Sequence, residues 1–168
     1  MGAIGDIRGR FFGFARATGE YLAPGFLETL AASGCSMLQW GLESGSREIL
    51  RRFRKGTDPE TAVRVIGKAN RLGIRNYVYL LFGTPTETEA AAERTRSFVE
   101  EHHQAINFLN LAIFNLPICG SGTESLPITD FYTGDLSIYR SFTHPLCWNR
   151  AEIRRYLHTV FKRSPKIA

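Results

Sequence analysis

Along roughly its first two thirds the chain alternates short apolar runs with longer stretches of helical periodicity, and this alternation restricts the fold more than any other feature. Strands separated by helix-length segments do not pair as hairpins; they form βαβ units and a parallel sheet. The first run, Phe11 to Ala15, precedes a helix over Pro24 to Ser33, with proline near its start and Gly34 as its stop. The second, Cys35 to Trp40, leads into a polar, glycine-containing loop from Gly41 to Ser46. A helix over 59–72 then starts at Asp58-Pro59, carries Ala62, Val63, Ile66 and Ala69 on one face and stops at Gly73. Tyr77 to Phe82 is an unbroken apolar run, the pattern of a strand buried on both faces. Thr86 and Glu89 have capping-box spacing ahead of a helix from Ala90 to Glu101, and Ile106 to Phe114 is the fourth strand. After residue 123 proline, glycine and aromatic residues mix without a period up to Trp148, which predicts a loop-rich extension. Asn149 and Glu152 are spaced to cap a last helix that docks through Ile153, Tyr156, Leu157, Val160 and Phe161.

With 168 residues and 43% hydrophobic side chains, the chain can bury a sizeable core. Its longest uncharged apolar runs fall far short of the roughly 20 residues of a bilayer crossing, and Asp6, Arg8 and Arg10 break up the start of the chain. A cytoplasmic protein with no membrane partner is expected. Cys35, Cys119 and Cys147 are an odd number of thiols at wide spacing, which suits neither a disulfide framework nor a local metal knuckle. The net charge of +5 is spread out. The basic segment Arg47, Arg51, Arg52, Arg54 and Lys55 has an apolar side made of Ile49, Leu50 and Phe53, with Glu48 in reach of Arg51 or Arg52. That is the pattern of a solvated helix, so nucleic acid is not the expected partner. His102, His103, His144 and His158 do not make a metal site, and Tyr132, Tyr139, Phe142 and Trp148 read as anchors of the extension.

In a parallel βα arrangement the carboxyl ends of the strands gather on one rim, where ligands bind. Three turns fall there: Gly41 to Ser46, Gly83 to Thr88 and Asn115 to Gly120. Glycines let a ligand approach the backbone, while Glu43, Ser44, Thr84 and Glu87 offer carboxylates and hydroxyls suited to a ribose or an amino group. The same residues also suit turns and caps alone. The dinucleotide fingerprint, the phosphate loop, the serine-hydrolase elbow and the zinc-protease helix motif are all missing.

The run from Leu30 through Trp40-Gly41-Leu42-Glu43-Ser44-Gly45-Ser46, followed by Leu50 and Arg54-Lys55-Gly56, resembles the central part of radical S-adenosylmethionine enzymes of the methylthiotransferase and cobalamin-associated branches. The strand that ends in Phe82-Gly83-Thr84-Pro85-Thr86-Glu87-Thr88 is similar to that family's G-x-P-x-E-T turn. The resemblance covers residues 10–123 as four βα units of a partial parallel (βα) barrel with six units in the family, leaving 124–168 as extension and terminal helix. It implies that Glu43 and Ser44 lie near the ribose or methionine end of S-adenosylmethionine. It further implies that Leu81, Gly83 and Thr84 flank the adenine turn, that Phe114 stands beside it on the last barrel strand, and that Arg16 meets the cofactor carboxylate. In the family a CxxxCxxC motif after the first strand holds a four-iron four-sulfur cluster, and this chain has no such motif. The expectation is a fragment that supplies the cofactor-binding half and is inactive alone, with the missing N-terminal part of the same protein as its partner. Self-association through the open sheet edge is also expected, and the alternative is a cluster-free binding or scaffold module.

Overall fold

Four short runs line up as β1 (Phe11–Ala15), β2 (Cys35–Glu43), β3 (Arg75–Phe82) and β4 (Phe108–Ile113), with burial alternating most clearly along β1 and β3. They form one sheet in the order β1-β2-β3-β4, each neighbouring pair parallel. The computed structural model describes residues 9–118, 126–129 and 138–167. Between the strands run α1 (Phe26–Ala32), α2 (Arg47–Arg52), α3 (Pro59–Arg71) and α4 (Glu89–His102), and α5 (Arg150–Thr159) follows the extension.

Side chains alternate across each strand, so the two faces of the sheet can be read off directly. Leu38, Trp40 and Leu42 of β2 and Val78, Leu80 and Phe82 of β3 are buried in one core with Leu27, Ile66, Val99 and Ile153 from the helices. The opposite face has no helix over it among the described residues: Phe12 is 60%, Phe14 75% and Phe108 48% exposed, and Tyr77, Tyr79 and Leu81 are half-buried. The expectation of a β3 buried on both faces is therefore corrected to one. Tyr77, Tyr79 and Phe108 stack instead on each other along the open face, with ring centroids 4.9 and 5.9 Å apart.

A buried asparagine locks the middle of the covered face. Asn76 accepts the Trp40 indole N–H on Oδ1 at 2.7 Å and donates from Nδ2 to the carbonyls of Ile66 and Ala105 at 3.0 and 2.8 Å. One side chain thus ties β2, α3 and the turn after α4 to β3, with its polar atoms paired as burial requires.

Helix ends depart from the sequence reading in instructive ways. Asp58 caps α3 as expected, accepting the Thr61 N–H at 3.0 Å. Before α4 the cap is Thr88, which accepts the Ala91 N–H at 3.2 Å, rather than Thr86, because the turn from Gly83 to Glu87 uses the preceding residues. Asn149 precedes α5 without capping it; its Oδ1 accepts the His144 N–H at 3.1 Å. The described residues around the extension also include strands where only loop was expected. β5 (Leu116–Pro117), β6 (Ile128–Thr129) and β7 (Tyr139–Phe142) form a small antiparallel sheet in the order β5-β7-β6.

The terminal helix docks through Ile153, Tyr156, Leu157 and Phe161, while Val160 is 42% exposed. The α-helix ends at Thr159 and a tighter turn from Phe161 to Arg163 follows, which breaks the helical period at Val160 and re-aims Phe161 onto Phe82, 5.4 Å between rings. Among the described residues no helix is long and apolar enough to cross a membrane.

Candidate functional site

β2 does not end at Trp40; it continues through Gly41 to Glu43, so the expected loop begins only at Ser44. Its register against β3 slips between Gly41 and Glu43, the mark of a bulge, and such irregularities re-aim side chains at strand ends. Glu43 itself is left-handed, with φ at 70°, a backbone conformation that a residue with a side chain adopts only when its surroundings hold it there. The holding contact is Lys55 Nζ, 3.0 Å from Glu43 Oε1. A Cβ placed on Gly41 would lie 3.3 Å from the same oxygen, so the missing side chain leaves the carboxylate its space.

Around Glu43 the open sheet face dips into a concavity of about 470 Å³ lined by Phe14, Arg16, Gln39, Gly41 and Tyr79. The Tyr79 hydroxyl donates to Gln39 Oε1 at 2.6 Å and fixes both across neighbouring strands. The surface thus carries one carboxylate, one guanidinium, an amide and two aromatic rings on a mostly apolar floor. That set suits a small ligand with a cationic or hydroxyl-bearing part, a carboxylate and a planar body. A larger cavity of about 620 Å³ lies between α3 and the end of α4 and shares none of these residues; it has no part of the rim.

Ser44 turns the other way. It is fully buried, its hydroxyl 3.0 Å from Thr95 Oγ1, and it accepts the Ser46 N–H at 3.0 Å. The Gly45 N–H donates to Thr95 Oγ1 at 3.0 Å, and a Cβ on Gly45 would come within 2.6 Å of the Phe98 Cβ. This loop is pinned to α4 so closely that only glycine fits, and Ser44 supports Glu43 rather than facing the concavity.

The second rim turn is a buried polar clamp. Gly83, with φ at 77°, donates its N–H to Glu87 Oε2. Burial pushes the Glu87 carboxyl up to about 7, with the Gly83 N–H pulling the other way. The Trp148 indole faces this carboxylate without closing a hydrogen bond, and neither Glu87 Oε1 nor Thr84 Oγ1 has a partner among the described residues. From the extension, His144 Nε2 lies 2.7 Å from the Thr84 carbonyl, while its Nδ1 accepts the N–H groups of Leu146 and Trp148 at 3.1 and 3.3 Å. That pattern assigns the Nε2–H tautomer and makes His144 the bolt between extension and turn.

Of the expected site residues, the structure brings together Glu43 and Arg16. Leu81 lies on the same open face, two residues beyond Tyr79 on β3. Gly83 and Phe114 line a different cavity, and Thr84 is buried. Gln39, Tyr79 and Lys55 complete the Glu43 surface; Lys55 stands in the Arg54-Lys55-Gly56 motif without a site role having been read from it, and Gln39 and Tyr79 were not singled out by motif. Period-two alternation along β2 and β3 was the signal that could have found Gln39 and Tyr79, since both share the face of Gly41. Nothing in the linear sequence marks the pairing of Lys55 with Glu43 or the role of His144.

Thiolate ligation does not fit this chain's described residues. Cys35 is buried at the start of β2, eight residues from Glu43 and so about 26 Å away along an extended strand, and its thiol contacts the Met37 carbonyl. Cys147 is exposed in the extension, Cys119 lies outside the described residues, and no group of three or more metal-ligating side chains is present among the described residues.

Comparison with known proteins converges on one family. The sequence profile of the Radical SAM superfamily matches residues 10–99. No curated protein sequence matches. Among solved structures the chain is similar to coproporphyrinogen III oxidase (HemN) from Escherichia coli, a radical SAM enzyme, at 19% identity and a TM-score of 0.53, covering 62% of this chain and 24% of that one. It is also similar to the radical S-adenosylmethionine methyltransferase TsrM from Kitasatospora setae, solved with cobalamin and a four-iron four-sulfur cluster, at 23% identity and a TM-score of 0.51, covering 65% and 21%. The chain spans less than a quarter of the length of either structure.

Proposed function

Because this chain belongs to the radical S-adenosylmethionine superfamily, we propose that it is the cofactor-facing part of such an enzyme's barrel, with S-adenosylmethionine bound against the Glu43 concavity. The observation that carries this reading is the joint placement of Glu43, Arg16 and two aromatic rings on the uncovered face at the carboxyl end of β2. Glu43 accepts from the cofactor's amino or ribose hydroxyl groups, Arg16 pairs with its carboxylate, and Phe14 and Tyr79 give its base an apolar surface. Lys55 keeps the Glu43 carboxylate in place, and the pinned loop from Ser44 to Ser46 keeps the backbone there from shifting. When bound beside a reduced iron-sulfur cluster, the cofactor supplies radical chemistry that no side chain can. That cluster has no cradle among this chain's described residues, so the cluster-binding part belongs to a further portion of the same protein, which also covers the open face.

A cluster-free binding or scaffold module of the same fold is the second reading, favoured by the distance of Cys35 from the rim. The two separate in one experiment. The coding DNA immediately upstream of the Met1 codon is sequenced, and the joined polypeptide is produced without oxygen and assayed for iron and for cleavage of S-adenosylmethionine. An in-frame CxxxCxxC within about two βα units, roughly 60 residues, with iron bound and cofactor cleaved, is the expected result. A stop codon there, with no iron bound, would leave the binding module.

A further inference from the structure

A cavity of about 460 Å³ opens beyond the end of β4, between Phe114, β7 and the first turns of α5. It shares no lining residue with the Glu43 concavity. Three arginines, Arg140, Arg150 and Arg154, stand around it; among the described residues its wall holds no acidic side chain and none of the three has a carboxylate partner. Elsewhere Arg47, Arg52 and Arg94 are paired with glutamates, and exposed arginines without a carboxylate among the described residues, such as Arg51 and Arg155, do not line this cavity; what sets it apart is that three stand together around one concavity. Like charges gathered without a counter-charge repel each other, so the cluster is relieved by an anion from outside.

The mouth is built rather than merely charged. Arg150 Nη1 donates to Asn115 Oδ1 at 2.8 Å and lies 3.4 Å from the Phe114 carbonyl, which orients the planar guanidinium and leaves its other N–H groups free. Below it the rings of Phe114 and Phe142 meet edge to face, 5.8 Å apart at 81°, and both line the cavity over Gly83 and Ile153. Its volume falls within the range of small-molecule sites, about 300 to 1,000 Å³. A strand of nucleic acid needs cations along an extended track, whereas these arginines ring a concavity.

We propose that this cavity binds a small organic anion, a carboxylate or phosphate joined to a planar apolar group, with the anion on Arg150 and Arg154 and the planar part against Phe114 and Phe142. The site stands apart from the cofactor surface, so it holds or fails independently of the reading above.

The test titrates the full chain with phenyl phosphate, inorganic phosphate and benzyl alcohol while nuclear magnetic resonance follows the Trp148 indole and the Gly83 amide. Saturable shifts with phenyl phosphate, at an apparent Kd at least about tenfold below that of either half-ligand, are expected. Arg150→Gln is expected to weaken phenyl phosphate about tenfold with the spectrum still dispersed, and Arg51→Gln, on the exposed side of α2, to leave it unchanged. No saturable shift with phenyl phosphate overturns the proposal. Equal binding of inorganic phosphate overturns it too, as does equal weakening by Arg51→Gln.

Discussion

Lys55 Nζ and Glu43 Oε1 lie 3.0 Å apart where β2 slips its register, and the pair holds a left-handed glutamate over the open face of the sheet. Both side chains are partly exposed, so the ion pair adds little to global stability, on the order of 0 to 1 kcal/mol. Its effect is positional. Lys55→Met is therefore expected to leave the urea midpoint nearly unchanged while weakening S-adenosylmethionine several-fold; a large loss of stability with unchanged affinity would assign Lys55 to the fold instead.

Glu87 gives the fold an unusual pH dependence. Its folded-state value of about 7 lies above the ordinary 4.5, because burial penalises the charged form. Between those values the folded protein holds a proton that the unfolded chain has lost, so stability falls as pH rises from about 4.5 to 7, and the full cost remains above that. A shift of this size corresponds to about 3 kcal/mol. Glu87→Gln keeps an acceptor for the Gly83 N–H and removes the charge. The variant should match the native protein near pH 4.5 and exceed it in denaturant midpoint at pH 8; an equal difference at both pH values would contradict this.

Asn76 carries a heavier load than any surface contact. Asn76→Ala orphans the Trp40 indole N–H and the carbonyls of Ile66 and Ala105 in the core, with an expected loss of about 3 kcal/mol. Trp40→Phe in the same background should cost less than it does alone, because the indole N–H is already unpaired there. Strict additivity of the two losses in urea titrations would show that the hydrogen bond is not shared.

How far the sequence revealed this arrangement depends on what each residue's neighbours are. The helices of the parallel sheet were legible because burial on one face imposes a period that Ala62, Ile66 and Ala69 obey, and β3 because its apolar run is unbroken, which hid that only Val78, Leu80 and Phe82 face the core. The length of β2 was not, since Gly41 and Glu43 look like a turn in isolation and are kept in the sheet only by pairing with Tyr79 and Leu80. The small sheet of the extension escaped notice because its strands are two to four residues long, too short for a period to register. At the site, the motifs pointed to Glu43, but Ser44 and Thr84, its neighbours in type, serve the interior. Hydroxyls next to a rim can turn either way, and contact with Thr95 across fifty-one residues decides it for Ser44.

The uncovered aromatic face predicts behaviour in solution. With Phe12, Phe14 and Phe108 exposed and β1 and β4 at the sheet edges, the isolated chain is expected to self-associate. Light scattering across concentration should show growth in mass that Phe14→Lys diminishes, and a strictly monomeric native chain at high concentration would contradict it.

The most direct measurement of the central claim is a titration of the isotope-labelled chain with S-adenosylmethionine, followed at the backbone amides of Gly41, Glu43 and Tyr79. The account predicts saturable shifts centred on these residues, strongly reduced by Glu43→Gln. Silence at all three positions up to millimolar cofactor, or an undiminished response in Glu43→Gln, would contradict it.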